Sequence, residues 1–190
     1  MIRIGVVAGS TRPGRKADAV ARWVCDIAAR RPDATAELVD LKDHPLPHFD
    51  ELLPPSMAPS ARPAVRQWGA AVAALDAFVF VTPEYNHSIP GALKDAVDFL
   101  FEEWHHKPAG LVSYGVHGGT RAAEHLRLVL GQVSVPVVRS QVTLSLHTDF
   151  AQFRDFRPGP HQEATVGAML DEVVAWAGAL RGLRRPQAVR

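Results

Sequence analysis

Apolar residues along this chain follow two alternating periods. Ile2 to Ala8 and Ala77 to Val81 (AFVFV) are nearly continuous apolar runs, as expected of strands covered on both faces. Ala36 to Leu41 (AELVDL) and Gly110 to Tyr114 (GLVSY) read as two more strands. Val135 to Val138 (VPVV) reads as a fifth, which the alternating QVTLSL segment either extends or flanks as a side element. Between these runs the spacing changes to three or four. A helix is predicted from about Lys16 to Arg30, with Val20, Val24 and Ile27 on one face. Val65, Trp68, Val72 and Leu75 mark a second helix. Leu93, Ala96, Val97 and Leu100 mark a third, with Ser88 as its cap and Pro90 in its first turn. Leu126 and Leu130 mark a fourth, capped by Thr120, and a last helix runs from about Glu163 to Leu180. Residues 42–63 carry Pro45, Pro47, Pro54, Pro55, Pro59 and Pro63 and read as a long loop of the functional or mobile kind.

Strands alternating with helices imply a parallel sheet with helices on both faces. Five strands suit a flavodoxin-like three-layer α/β/α fold with strand order 2-1-3-4-5, and residues 1–190 read as a single domain. Ligands in such sheets sit beyond the C-terminal strand ends, near the point where strand order reverses. Attention therefore falls on three loops, at 9–16, 82–90 and 114–120.

Composition removes alternatives more than it adds any. The 190 residues are 47% hydrophobic and 22% charged, with a net charge of +1, so neither nucleic acid nor a membrane surface is called for. The basic tail RGLRRPQAVR reads as a solvated end. Cys25, the sole cysteine, reads as a buried, inert thiol. The N-terminus lacks the layout of a signal peptide, and no apolar run has the length of a membrane span, so the expectation is a cytoplasmic protein.

The first loop, AGSTRPGRKAD, looks like a phosphate loop. Gly9 and Gly14 have Walker spacing, but Gly14 is followed by Arg15, Lys16 and Ala17, so the lysine is displaced and the magnesium hydroxyl is missing. Gly9 is followed by Ser10 and Thr11, which breaks the dinucleotide fingerprint G-x-G-x-x-G. Two hydroxyls, a helix N-terminus, Arg12, Arg15 and Lys16 suit a terminal phosphomonoester held without a metal. In the second loop, PEYN, Pro83 stiffens a backbone able to bond a heterocycle edge and Tyr85 adds a planar surface. In the third, SYGVHGG, Gly115, Gly118 and Gly119 permit close approach and positive φ. A phosphate on one loop and a flat body between the other two describes flavin mononucleotide, FMN.

These segments carry a resemblance. GSTRPGR, DLKDHPLPHFDELLP, TPEYNHSIPGALKDAVDFL and KPAGLVSYGVHGGTRAAEHLRLVL resemble the NADPH-dependent FMN reductase family, flavodoxin-like flavin, quinone, azo-dye and chromate reductases, over roughly residues 2–140. The resemblance implies that Ser10, Arg12 and Arg15, with Thr11 and Lys16, hold the FMN phosphate. It implies that Pro83, Glu84, Tyr85 and Asn86 line the ribityl chain and ring, and that Tyr114, Gly115 and Gly118 border the pyrimidine end. Relatives often have Ser and Asn where this chain has Arg15 and Ala17. Residues 147–160 match no family pattern, and their aromatic and basic content suits an oligomer contact or a lid.

The expected chemistry is ping-pong hydride transfer from NADPH or NADH through FMN to a small-molecule acceptor such as a quinone, azo dye or free flavin. FMN carries the reaction, so no catalytic side chain and no metal are expected. His117, in the third loop, reads as incidental, and the adjacent His105 and His106 are poorly placed to chelate one ion. An electron carrier of flavodoxin type and a non-catalytic FMN-binding module are the alternatives. The resemblance implies a homodimer or homotetramer, and Phe99, Phe101 and Trp104 suit either its interface or the core.

Overall fold

The computed structural model describes residues 1–184; the end of the basic tail, residues 185–190, lies outside them. Strands β1 (Ile2–Ala8), β2 (Ala34–Asp40), β3 (Ala77–Pro83), β4 (Ala109–Gly115) and β5 (Val137–Ser145) form one parallel sheet in the order β2-β1-β3-β4-β5. Helices α1 (Ala17–Ala28) and α5 (Pro160–Leu180) cover one face; α2 (Pro63–Ala73), α3 (Gly91–Asp98) and α4 (Thr120–Gln132) cover the other. The flavodoxin-like layering read from the sequence is thus present. β3, in the middle, is buried at every position, which is why its sequence does not alternate.

Each helix contributes the face its spacing foretold. Val20, Val24 and Ile27 of α1 meet Val166, Met169, Leu170 and Val173 of α5 in one core layer. Trp68 and Val72 of α2, Leu93 and Val97 of α3 and Leu126 and Leu130 of α4 form the other. Trp104 packs 4.9 Å from Phe78 and 5.9 Å from both Phe80 and Trp68, ring centre to ring centre. Phe99 and Trp104 are therefore core residues, and Phe101 is half-buried beside them. No described helix is long and apolar enough to cross a membrane.

Several local expectations need correction. The fifth strand begins inside VPVV at Val137 and is extended through the QVTLSL segment to Ser145: β5 is an edge strand with alternating burial, and its register slips between Ala109 and Leu111 of β4. Ser88 does not cap α3, whose N-cap is Pro90; its hydroxyl lies 2.9 Å from His125 Nδ1. Thr120 is the first residue of α4 rather than its cap. Cys25 is half-buried, and burial pushes its thiol up to about 11. Arg184, in the tail read as solvated, pairs with Asp76 at 2.9 Å. The long loop is anchored where Phe49 packs 5.2 Å from Phe99 and its N–H donates to Asp95 at 3.1 Å.

Residues 147–160 form a small hairpin, β6 (Phe150–Ala151) with β7 (Asp155–Phe156). Phe150 and Phe156 turn inward with their tilted rings 5.2 Å apart, and Trp23 of α1 lies 5.3 Å from Phe156. Buried Asp149 ties the base together by accepting from the N–H groups of Ser145 (2.9 Å) and Gly159 (3.1 Å). The segment serves as a core cover.

Candidate active site

β1, β3 and β4 are neighbours in the sheet, so the loops leaving their C-terminal ends converge on one edge. The strand order reverses there, between β1 and β3. In the first loop Ser10 is fully buried and its Oγ lies 2.8 Å from the Tyr85 hydroxyl. Arg12 to Arg15 make a Pro-Gly turn: the N–H of Arg15 donates to the Arg12 carbonyl (3.2 Å), with Gly14 at φ 68°. Thr11 and Arg12 stay exposed, the guanidinium 5.8 Å from the Tyr85 ring centre. Lys16 occupies the N-cap of α1, and its side chain makes no capping bond. Its first-turn N–H groups, Arg12 and Lys16 therefore form a donor set for an anion. A cavity of about 240 Å³ adjoins it, lined by Thr11, Leu41, Lys42, His44, Leu46 and Ala92.

Arg15 departs from the expectation that it faces a phosphate. Its guanidinium donates to the Ser10 carbonyl at 2.9 Å and pairs with Asp40, both side chains being 11% exposed. Asp40 meets its charge, and the pair shapes the loop from beneath. Asp40 was missed in the sequence, although parallel register sets it beside Ala8, just before the loop.

The second loop is a tight turn. Tyr85 and Ser88 exchange backbone hydrogen bonds of 2.9 and 3.1 Å, with Asn86 (φ 48°) and His87 (φ 74°) both left-handed between them. Asn86 and His87 are thus lifted to an exposed tip, while the Tyr85 side chain reaches back to the first loop. Pro83 is buried opposite Tyr114. Glu84 turns away from the loop interior: its carboxylate meets the Arg121 guanidinium at 2.5 Å and accepts the Arg121 N–H at 3.2 Å. Arg121 was the second residue the sequence reading missed, its only signal being its place in the first turn of a helix.

The third loop is shaped by its glycines. At Gly119 (φ 69°) an added Cβ would lie 2.8 Å from both the N and O of Tyr114, so only glycine fits. Ser113 Oγ donates to the Gly118 carbonyl at 2.7 Å, and the Gly115 carbonyl accepts the N–H groups of Gly118 (3.2 Å) and Leu146 (2.9 Å). Tyr114 is placed differently from the expectation. Its ring lies in the α1/α5 layer, 5.9 Å from Phe150, and it is 5% exposed. The hydroxyl is buried beside the N–H groups of Lys16 and Ala17, without a hydrogen-bond partner among the described residues, and burial pushes its pKa up. Tyr114 offers the loop its backbone only. His117 is exposed.

Comparison with known proteins agrees with this geometry. A family profile described as NADPH-dependent FMN reductase matches residues 2–149. An NAD(P)H-dependent FMN reductase of Schizosaccharomyces pombe is 39% identical over 149 residues, 77% of this chain and 74% of that protein. A quinone reductase of Pseudomonas putida is 33% identical over 72% of this chain and 73% of its own length. Among solved structures, the flavoenzyme NAD(P)H:(acceptor) oxidoreductase FerB of Paracoccus denitrificans superposes with a TM-score of 0.73 at 22% identity, covering 94% of this chain and 98% of that one.

Proposed function

The chain belongs to the NADPH-dependent FMN reductase family, and on that premise we propose how its own residues serve an FMN-dependent NAD(P)H oxidoreductase. The carrying observation is the uncapped N-terminus of α1 joined to the Ser10–Tyr85 hydroxyl pair, with Arg12 and Lys16 beside it. That donor set fits a dianionic phosphate with free oxygens. Ser10, Thr11, Arg12, Lys16 and the Tyr85 hydroxyl bind the FMN phosphate, while Arg15 positions the Ser10 carbonyl through its pair with Asp40. The backbones of Pro83 to Asn86 and of Tyr114, Gly115 and Gly118 hold the flat ring between the second and third loops.

The chemistry supplied by bound FMN is hydride acceptance from a nicotinamide and two-electron return to an acceptor. The residues bind and orient, and none is needed to move a proton. Exposed Asn86, His87, Val116 and His117 form an open rim, which suits flat acceptors such as quinones, azo dyes and free flavin. The whole chain acts as one FMN-binding unit, and its single cysteine suits the reducing cytoplasm.

A second copy of the chain completes the assembly. The face between α3 and α4, next to the second loop, holds a cavity of about 460 Å³ lined by Ser88, Ile89, Lys94, His125, Leu128 and Val129. Leu128 is 77% exposed there, a surface that association would cover.

The decisive experiment is anaerobic. Purified protein reconstituted with FMN is mixed with NADPH or NADH, and flavin absorbance is followed before and after a quinone is added. Bleaching with rapid reoxidation is the expected result. Bound flavin that no nicotinamide reduces marks an electron carrier or binding module instead, and failure to bind FMN removes the assignment.

A further inference from the structure

We propose that Glu84 and Arg121 form a charge clasp that positions the second and third loops and holds down the reduction potential of bound FMN. The inference rests on the FMN-binding reading above and deepens it.

Helix α4 starts directly after Gly118 and Gly119, which bring no side-chain acceptor. The Thr120 hydroxyl turns back to the His117 carbonyl at 3.4 Å. The acceptor comes from the second loop instead. Glu84 Oε2 accepts the Arg121 N–H at 3.2 Å, and Oε1 meets Arg121 Nη2 at 2.5 Å. The backbone N–H of the same glutamate donates to the Tyr114 carbonyl at 3.1 Å. Glu84 thus grips the strand end before the third loop through its backbone, and the helix after that loop through its side chain. Its side chain is 9% exposed. Burial pushes the carboxyl pKa up, but the hydrogen bond and charge of Arg121 outweigh burial and hold it below the usual range, so it stays an anion. Arg121 Nε is buried without a partner among the described residues, so the guanidinium is held by Glu84.

The charge has a consequence for the ligand. A helix N-terminus carries roughly half a positive charge. Left free, that of α4 would draw negative charge toward the glycine loop. Glu84 places a full negative charge there first. Hydride delivers two electrons and one proton, so a flavin reduced by it becomes one charge more negative. A carboxylate fixed between the two ring-holding loops opposes that gain, and Arg121 limits the opposition. Glu84 is a positioning residue whose charge keeps the reduced cofactor a strong donor.

The test compares wild type, Glu84→Gln and Arg121→Gln, each loaded with FMN. It measures the FMN dissociation constant and the midpoint potential, with circular dichroism to verify folding. Glu84→Gln keeps an acceptor but loses the charge. It should raise the preference for reduced over oxidised FMN about tenfold, about 30 mV for a two-electron couple. Arg121→Gln bares the carboxylate and should move the potential the opposite way. Opposite signs identify charge. Shifts of one sign, or weaker FMN binding with an unmoved potential, overturn the proposal. If Glu84→Gln does not fold, Arg121→Gln decides alone, and a potential that fails to fall overturns it. A wild type that binds no FMN overturns the underlying function instead.

Discussion

Tyr85 shows how far one side chain can stand from the role its loop suggests. In PEYN it reads as a surface for the flavin ring, yet its hydroxyl lies 2.8 Å from Ser10 Oγ in the phosphate loop. The left-handed pair Asn86 and His87 makes this reach possible by reversing the chain just beyond it. Removing the hydroxyl should cost the phosphate site one charge-assisted hydrogen bond, about 2 kcal/mol. Tyr85→Phe is therefore expected to weaken FMN binding about thirtyfold while leaving the melting temperature near that of wild type. Fluorescence titration of FMN checks the first point and thermal denaturation the second; unchanged affinity would return Tyr85 to the ring. Arg15 carries the complementary lesson. Its motif position says phosphate, and its packing says Asp40.

Helices and strands set the working parts through their ends. The C-terminus of α2 is met by Lys107, whose ammonium donates to the carbonyls of Val72 (2.8 Å) and Ala73 (3.2 Å). Burial, helped by the charge of Arg184, pulls its pKa down from 10.5 to about 8, against the opposing pull of Asp76 and Glu103. The unfolded chain then holds this proton over a range in which the folded protein has released it. Stability should rise as pH increases from about 8 to 9. The Cys25 thiol, raised by burial from 9 to about 11, acts in the opposite sense above 9, and Tyr114, also raised by burial, does so above its ordinary value of 10, so the climb ends near 9. Urea midpoints across that range should climb for wild type, and Lys107→Met should flatten the climb. At the other edge of the sheet, α1 and α4 start without caps of their own; one is left open for an anion and the other is filled by Glu84.

At the scale of the whole molecule, three loops far apart in sequence form one site because β1, β3 and β4 are adjacent in the sheet. The same convergence sets the site against the α3/α4 face, where Leu128 and the cavity beside it are open. Leu128→Asp should convert the assembly to monomers in size-exclusion chromatography at micromolar concentration and weaken FMN retention. Wild type eluting as a monomer would remove the second copy from the account.

The strand order, the two core layers and the convergence of three loops on one sheet edge were legible in the chain itself. Continuous apolar runs, helical stripes and glycine placement are local signals, and β3, α1 and the turn at Gly14 express them directly. Element boundaries at the sheet edge were less legible, because β5 begins inside the apolar VPVV and runs on through the alternating QVTLS, two patterns in one strand. Side-chain partnerships were not legible at all. Arg15 with Asp40, Glu84 with Arg121 and Tyr85 with Ser10 join residues 25, 37 and 75 positions apart. Which charge meets which depends on register and loop reversal, and these exist only once the sheet has assembled. The sequence by itself therefore determined which strand ends carry the three loops of the proposed site. Tertiary structure decided which of their cations remain free, because charges that meet in the fold are no longer available to a ligand.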